Sequence, residues 1–125
     1  MKQIVLDTNF IMYCLAFKIG IKAELARICD FNYSLCILSA SLKELEKLIK
    51  EGEYFERKQA DLAMQFIQKS ALKVLPLDGY ADELLEGLDK AENIIATQDF
   101  RLRKKLKAKG FKTIVIRQKS HFEFQ

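Results

Sequence analysis

Five short apolar runs punctuate this chain, and one or two segments of helical period separate each run from the next. The runs are Ile4–Leu6, Leu35–Leu38, Leu72–Leu75, Ile94–Thr97 and Thr113–Ile116. They are too short for helices and almost solidly apolar, the pattern of strands buried on both faces. Between them, helices are expected over Phe10–Ile19, 21–30, 41–51, 53–69, 81–91 and 100–109. Each carries apolar residues three and four apart, such as Leu42, Leu45, Leu48 and Ile49. Pro76 and the Asp78-Gly79 pair stop the third strand, and Gly110 ends the last helix in the position a helix C-terminus favours. The order β-α-α-β-α-α-β-α-β-α-β implies an α/β fold: a central parallel five-stranded sheet flanked by helices on both faces. A polar tail is expected after residue 116. With 125 residues and no repeat or low-complexity tract, residues 1–125 read as a single domain.

Several function classes drop out. Three cysteines, Cys14, Cys29 and Cys36, with no CxxC pairing, suit buried thiols in a reducing compartment rather than a disulfide framework or a zinc site. No apolar run reaches the length of a membrane span, and a charge follows the first three apolar residues, so neither a membrane anchor nor a signal peptide is expected and the location is read as cytoplasmic. Neither GxGxxG nor GxxxxGK[ST] occurs, which removes the usual nucleotide-phosphate loops. A phosphatase built on a first-strand aspartate wants a second aspartate two residues on, and here that position is Asn9.

In doubly wound sheets, ligands bind outside the carboxyl ends of the strands. Asp7-Thr8-Asn9 follows the first strand and Thr97-Gln98-Asp99 closes the fourth. Asp82 opens the helix after the third, and Glu44 lies in the helix after the second. Each aspartate alone could merely cap a helix, and Glu44 alone could be a solvated residue, with Glu46 equally placed by periodicity. Four acids from four βα units on one edge are harder to treat as caps. Clustered carboxylates raise one another's pKa, and a divalent cation with its preference for oxygen ligands relieves that repulsion.

These motifs resemble the PIN-domain nucleases along essentially the whole chain. The matching pieces are Val5-Leu6-Asp7-Thr8-Asn9, Leu42-Lys43-Glu44-Leu45-Glu46, Ala81-Asp82 and Ala96-Thr97-Gln98-Asp99-Phe100-Arg101-Leu102, closed by Gly110-Phe111-Lys112-Thr113-Ile114-Val115-Ile116-Arg117. The chain looks most like small archaeal PIN proteins related to ribosomal-RNA-processing nucleases, and next most like the toxins of toxin–antitoxin pairs. The resemblance implies a metal-dependent endoribonuclease in which Asp7, Glu44, Asp82 and Asp99 are catalytic and hold Mg²⁺ or Mn²⁺. It favours Glu44 over Glu46. Thr8, Asn9 and Thr97 would orient a ligand or water, and a metal-activated water would attack phosphorus with no His or Ser nucleophile. Two positions depart from the pattern: Gln98, where many relatives have Asn, and Glu83, where many have a second Asp, whose role as a ligand is therefore in doubt. A PIN-like module that binds RNA or protein without cutting is the competing reading.

Residues 101–109 hold six cations in nine positions, within a chain of net charge +4. Leu102 and Leu106 would anchor this helix, leaving Arg101, Arg103, Lys104, Lys105 and Lys107, with Arg117 beyond, as a track for RNA phosphates beside the acids. A solvated helix with cations near its C-terminus is the plainer alternative. His121 lies in the tail, away from the motifs, and reads as a surface residue. The expected partners are an RNA substrate and no membrane. Phe10, Tyr13, Phe17, Phe31, Tyr33, Tyr54 and Phe55 exceed what a thin sheet should bury, so beside core packing they raise a homodimer interface, a habit of the family. An antitoxin or a ribosome-biogenesis partner follows from the two roles that the resemblance suggests.

Overall fold

The computed structural model describes residues 1–125. Twelve elements follow one another: β1 (Lys2–Leu6), α1 (Thr8–Ala16), α2 (Ile21–Ile28), β2 (Tyr33–Leu38), α3 (Ser39–Glu51), α4 (Tyr54–Lys69), β3 (Lys73–Leu75), α5 (Ala81–Glu86), β4 (Asn93–Ala96), α6 (Phe100–Ala108), β5 (Thr113–Arg117) and β6 (His121–Phe124). The strands form one sheet in the order β3-β2-β1-β4-β5-β6. The first five run parallel, as expected from their apolar character.

Alternation along β1 divides the core. Ile4 and Leu6 face one side, where α1, α2, α3 and α4 supply Phe10, Ile11, Leu25, Leu45 and Ala63. Val5 faces the other, where Leu85 of α5 and Leu102 and Leu106 of α6 pack against Cys36, Leu38 and Ile95. All these side chains are buried, so β1 is covered on both faces at Ile4, Val5 and Leu6, the three positions before Asp7. Cys14 and Cys36 are free and buried and Cys29 is free and half-buried, consistent with their reading as packing residues. No helix is long and apolar enough to cross a membrane.

The sheet has six strands, not five. The segment read as a polar tail turns through Gln118 and Lys119, both at positive φ, and returns as β6 antiparallel to β5, with Ile114 opposite Phe124 and Ile116 opposite Phe122. Its alternation is short and interrupted by charge, which hid it: Phe122 is wholly buried against Phe10, with ring centroids 4.9 Å apart, whereas Glu123 faces solvent. His121 therefore sits in an edge strand, half-buried, with Nε2 3.5 Å from Glu123. The helix expected over 81–91 is only the six residues of α5, ended at Gly87. Of the seven aromatics assigned to core or interface, Phe10 is buried and Tyr13, Phe31 and Tyr33 are half-buried against the core, leaving Phe17, Tyr54 and Phe55 exposed.

Truncating Phe122 to Ala is expected to cost about 3–5 kcal/mol, the usual range for emptying a buried aromatic site, measured by urea unfolding. A loss below about 1 kcal/mol, the scale of an ordinary surface change, would place β6 outside the core.

Candidate active site

The strand order sets the location. The chain runs outward from β1 through β2 to β3, then resumes on the opposite side of β1 with β4 and β5, so the order reverses between β1 and β4. Crevices at such reversals are where open α/β sheets hold ligands. Leu6 pairs with Ala96 there, and the next residues on each strand are Asp7 and Thr97.

Asp7 is the N-cap of α1 and only 6 % exposed. One carboxylate oxygen accepts from the Thr8 N–H at 2.9 Å, and the other accepts from the Thr97 hydroxyl at 2.8 Å. The same Thr97 oxygen accepts from the Asp99 N–H at 3.1 Å, so one hydroxyl links the first acid to the backbone of the last. Asn9 receives the Gln98 N–H on its side-chain oxygen at 3.2 Å, and Gln98 in turn accepts from the Ile116 N–H at 2.8 Å. Gln98 is thus a strut between the site loop and β5, and its extra methylene supplies reach toward that strand. Asp99 caps α6 by accepting from the Leu102 N–H at 3.1 Å. Asp7 and Asp99 are thus helix caps tied together through Thr97, whereas Asp82 lies within α5, whose N-cap is Tyr80.

Glu44 accepts from the Thr8 hydroxyl at 3.1 Å across the gap between α3 and α1. Both Glu44 and its rival Glu46 are exposed, and only Glu44 makes this contact. Glu44 and Asp82 line one open cavity of about 380 Å³, together with Lys43, Lys47, Gly79 and Tyr80. Gly79 holds φ at +137°, a conformation that L side chains rarely adopt, and this lets the chain turn from β3 into α5 and deliver Asp82. Glu83 is exposed and lies outside that lining.

The electrostatics join the four acids. Burial above all, then Asp82 and Glu44, push Asp7 up from an ordinary 3.8 to about 6, against the lowering effect of its hydrogen bonds. Asp82 is raised by burial and by Asp99, with Lys105 as the opposing cation. As the side chains stand, no three of them enclose an ion. Thr8 holds Glu44 and the α6 cap occupies one oxygen of Asp99, so each leaves only part of its carboxylate free. The donor set is nevertheless all hard oxygen, the repulsion is uncompensated at Asp7, and Mg²⁺ ordinarily takes only one or two carboxylates with waters and phosphate oxygens. The residues fit such an ion.

The expected basic track divides in two. Leu102 and Leu106 are buried as anticipated. Lys105 acts on Asp82 across the α5–α6 contact, and Arg101 is exposed on the same helix. Arg103, Lys104 and Lys107 turn instead toward Arg117 and Gln125, around a second cavity of about 300 Å³. Arg117 is paired with Glu123 at 3.3 Å and Lys109 with Glu86 at 3.3 Å, whereas Arg101, Arg103, Lys104, Lys105 and Lys107 have no ion-pair partner. Residue-level reading passed over Tyr80 and Phe100. Tyr80 lies two residues before Asp82 and lines the same cavity, and Phe100 follows Asp99 directly; those placements were the available signal.

A family model described as "PIN like domain" matches residues 4–119. The chain is 36 % identical to Ribonuclease VapC4 of Methanocaldococcus jannaschii over 127 aligned residues, covering 98 % of this chain and 96 % of that protein. It is 31 % identical to Ribonuclease VapC9 of Archaeoglobus fulgidus, covering 85 % of this chain and 76 % of that one. The solved structure of the PIN domain endonuclease Utp24 superposes with a TM-score of 0.82 at 22 % identity, over 98 % of this chain and 90 % of that one, and shows the same fold.

A carboxylic acid whose folded pKa lies above its unfolded value holds its proton better in the native state. Its ionisation therefore costs stability progressively as pH rises from about 3.8 through about 6. In EDTA, Asp7→Asn is expected to raise Tm by roughly 5 °C at pH 7.5, and the difference should vanish below pH 3.8. Thermal melts across pH measure this, and a variant less stable than the parent at pH 7.5 contradicts the burial cost.

Proposed function

We propose that this chain, which belongs to the PIN-like domain family, is a divalent-metal-dependent endoribonuclease that hydrolyses phosphodiester bonds in RNA. The observation that carries the reading is the nearly buried Asp7, raised in pKa and pinned by Thr97 at the reversal point of the sheet, with Glu44, Asp82 and Asp99 disposed around it. A fold gains nothing from burying a carboxylate among carboxylates; a cation site does. The two ribonuclease relatives support RNA as the substrate.

Asp7, Glu44, Asp82 and Asp99 are the residues that would hold Mg²⁺ or Mn²⁺. When bound, such an ion polarises the phosphate and makes water acidic enough to serve as nucleophile near neutral pH. The chain's own residues do the rest. Thr97 and the Thr8 N–H fix the orientation of Asp7, the Thr8 hydroxyl fixes Glu44, and Asn9 with Gln98 holds the loop that carries Asp99. Lys105 and Arg101 on one side of α6, and Arg103, Lys104, Lys107 and Arg117 on the other, attract the phosphate backbone without reading sequence.

RNA processing is the role we assign; a toxin ribonuclease would use the same site and would be marked by a partner gene for an antitoxin. The exposed apolar residues of α4, Tyr54, Phe55 and Leu62, with Phe17 after α1, are the surface for a homodimer, an antitoxin or a ribosome-biogenesis partner.

Labelled single-stranded RNA should be cut in Mg²⁺ or Mn²⁺ and left intact in EDTA. Asp7→Asn should lower the rate by roughly 100-fold or more, and Thr97→Val, which removes only the orienting hydroxyl, by roughly 10-fold. RNA binding without metal-dependent cleavage on any RNA tested would favour the non-cutting module.

A further inference from the structure

Two large rings project into solvent from the elements that carry the acids: Tyr80, 69 % exposed, in the cavity that Glu44 and Asp82 line, and Phe100, 63 % exposed, directly after Asp99. We propose that they form a single-strand clamp, each stacking one unpaired RNA base while neighbouring cations hold the adjoining phosphates. The assignment rests on the RNA reading above and adds to it a specificity device: strandedness.

Both rings are placed by the acids' own elements. Phe100 immediately follows Asp99 and opens α6; Tyr80 precedes Asp82 by two residues at the start of α5. Each borders a cavity supplied with cations. Around Phe100 lie Arg103, Lys104, Lys107 and Arg117, with the Gln125 amide. Around Tyr80 lie Lys43 and Lys47, and the same cavity contains Glu44 and Asp82. On α6 the ring and the cations share one stripe, residues 100, 103, 104 and 107, which the helical period brings to a single face. Lys104 Nζ stands 5.2 Å from the Phe100 centroid and the Arg103 guanidinium carbon 5.8 Å from it, so the ring already carries a cation layer.

The cavity beside Phe100 is under-satisfied as a purely structural feature. Arg103 is held by Gln125 through one terminal nitrogen at 3.2 Å, but its Nε is buried with no hydrogen-bond partner. Lys104 and Lys107 have no carboxylate within ion-pair distance. Unpaired guanidinium and ammonium donors beside an exposed π face match one ligand chemistry well, a phosphate with its base. In a duplex the base faces are covered by their neighbours, so stacking on a protein ring requires an unpaired strand. Rings carried beside Asp82 and Asp99 would hold stacked nucleotides next to the acids.

The test uses an RNA oligonucleotide carrying 2-aminopurine, whose fluorescence falls when the base stacks, with Asp7→Asn protein so that the probe is not cut. Single-stranded probe should be quenched on binding and its duplex should not. Phe100→Leu and Tyr80→Leu, each added to that background, keep apolar bulk but remove the π face. Each should weaken binding by roughly tenfold and reduce the quenching, with the salt dependence unchanged. Lys104→Ala and Lys107→Ala should each lower the salt slope by roughly one and retain the quenching at saturation. Leucine variants that bind and quench like their parent overturn the clamp, and loss at one ring alone overturns its two-ring form. If wild-type protein cuts RNA while the leucine variants still quench, the clamp fails and the nuclease stands. If it stacks single strands but never cuts them, the clamp stands and the nuclease fails.

Discussion

The hydrogen bond from the Thr97 hydroxyl to the Asp7 carboxylate joins the carboxyl ends of β1 and β4 where the sheet reverses its order. Much of the site depends on that contact. It holds a nearly buried carboxylate in one orientation, and through the second hydrogen bond at the same hydroxyl it positions the start of α6. Without it, Asp7 would retain the cost of burial with only the Thr8 N–H to offset it. The core explains why the arrangement persists. β1 is packed on both faces, so Asp7 cannot withdraw to solvent without dislodging Ile4, Val5 and Leu6.

Stability and function pull against each other here in a definable way. Burial raises the pKa of Asp7, and Asp82 and Glu44 raise it further. Each of these effects opposes folding at neutral pH, and each is relieved by a cation. α6 shows the complementary economy. One side of the helix is spent on Leu102 and Leu106, and the remaining surface is divided between cations facing Asp82 and cations facing β5 and β6.

The parallel five-strand frame was legible because its strands are apolar on both faces and its helices keep their period, as in Leu42, Leu45, Leu48 and Ile49. Asp7 and Asp99 were singled out by position just past two apolar runs, and Asp82 at the start of the helix after a third. What escaped was whatever depends on distant partners. β6 carries only four residues, and its inward ring, Phe122, has meaning only opposite Phe10. Periodicity left Glu44 and Glu46 equivalent, and only the resemblance favoured Glu44; its contact with the Thr8 hydroxyl lies outside what periodicity can place. Gln98 looked like a departure until its reach to Ile116 was visible. Tyr80 and Phe100 were given no role: neither was among the aromatics weighed for core or interface, and their exposure depends on the fold.

The antiparallel return of β6 also bears on when the domain can close during synthesis. Phe10 is covered by Phe122, a partner 112 positions later (122 − 10). Glu24 and Arg27 of α2 likewise wait for the Phe122 backbone: Glu24 accepts its N–H at 2.9 Å and Arg27 donates to its carbonyl at 2.8 Å. Contacts this distant in sequence form late, because the loop they close must be ordered first. Until β6 docks, Phe10 and the outer edge of β5 lack their cover. The last strand thus completes the wall behind α1 that the earlier elements leave open.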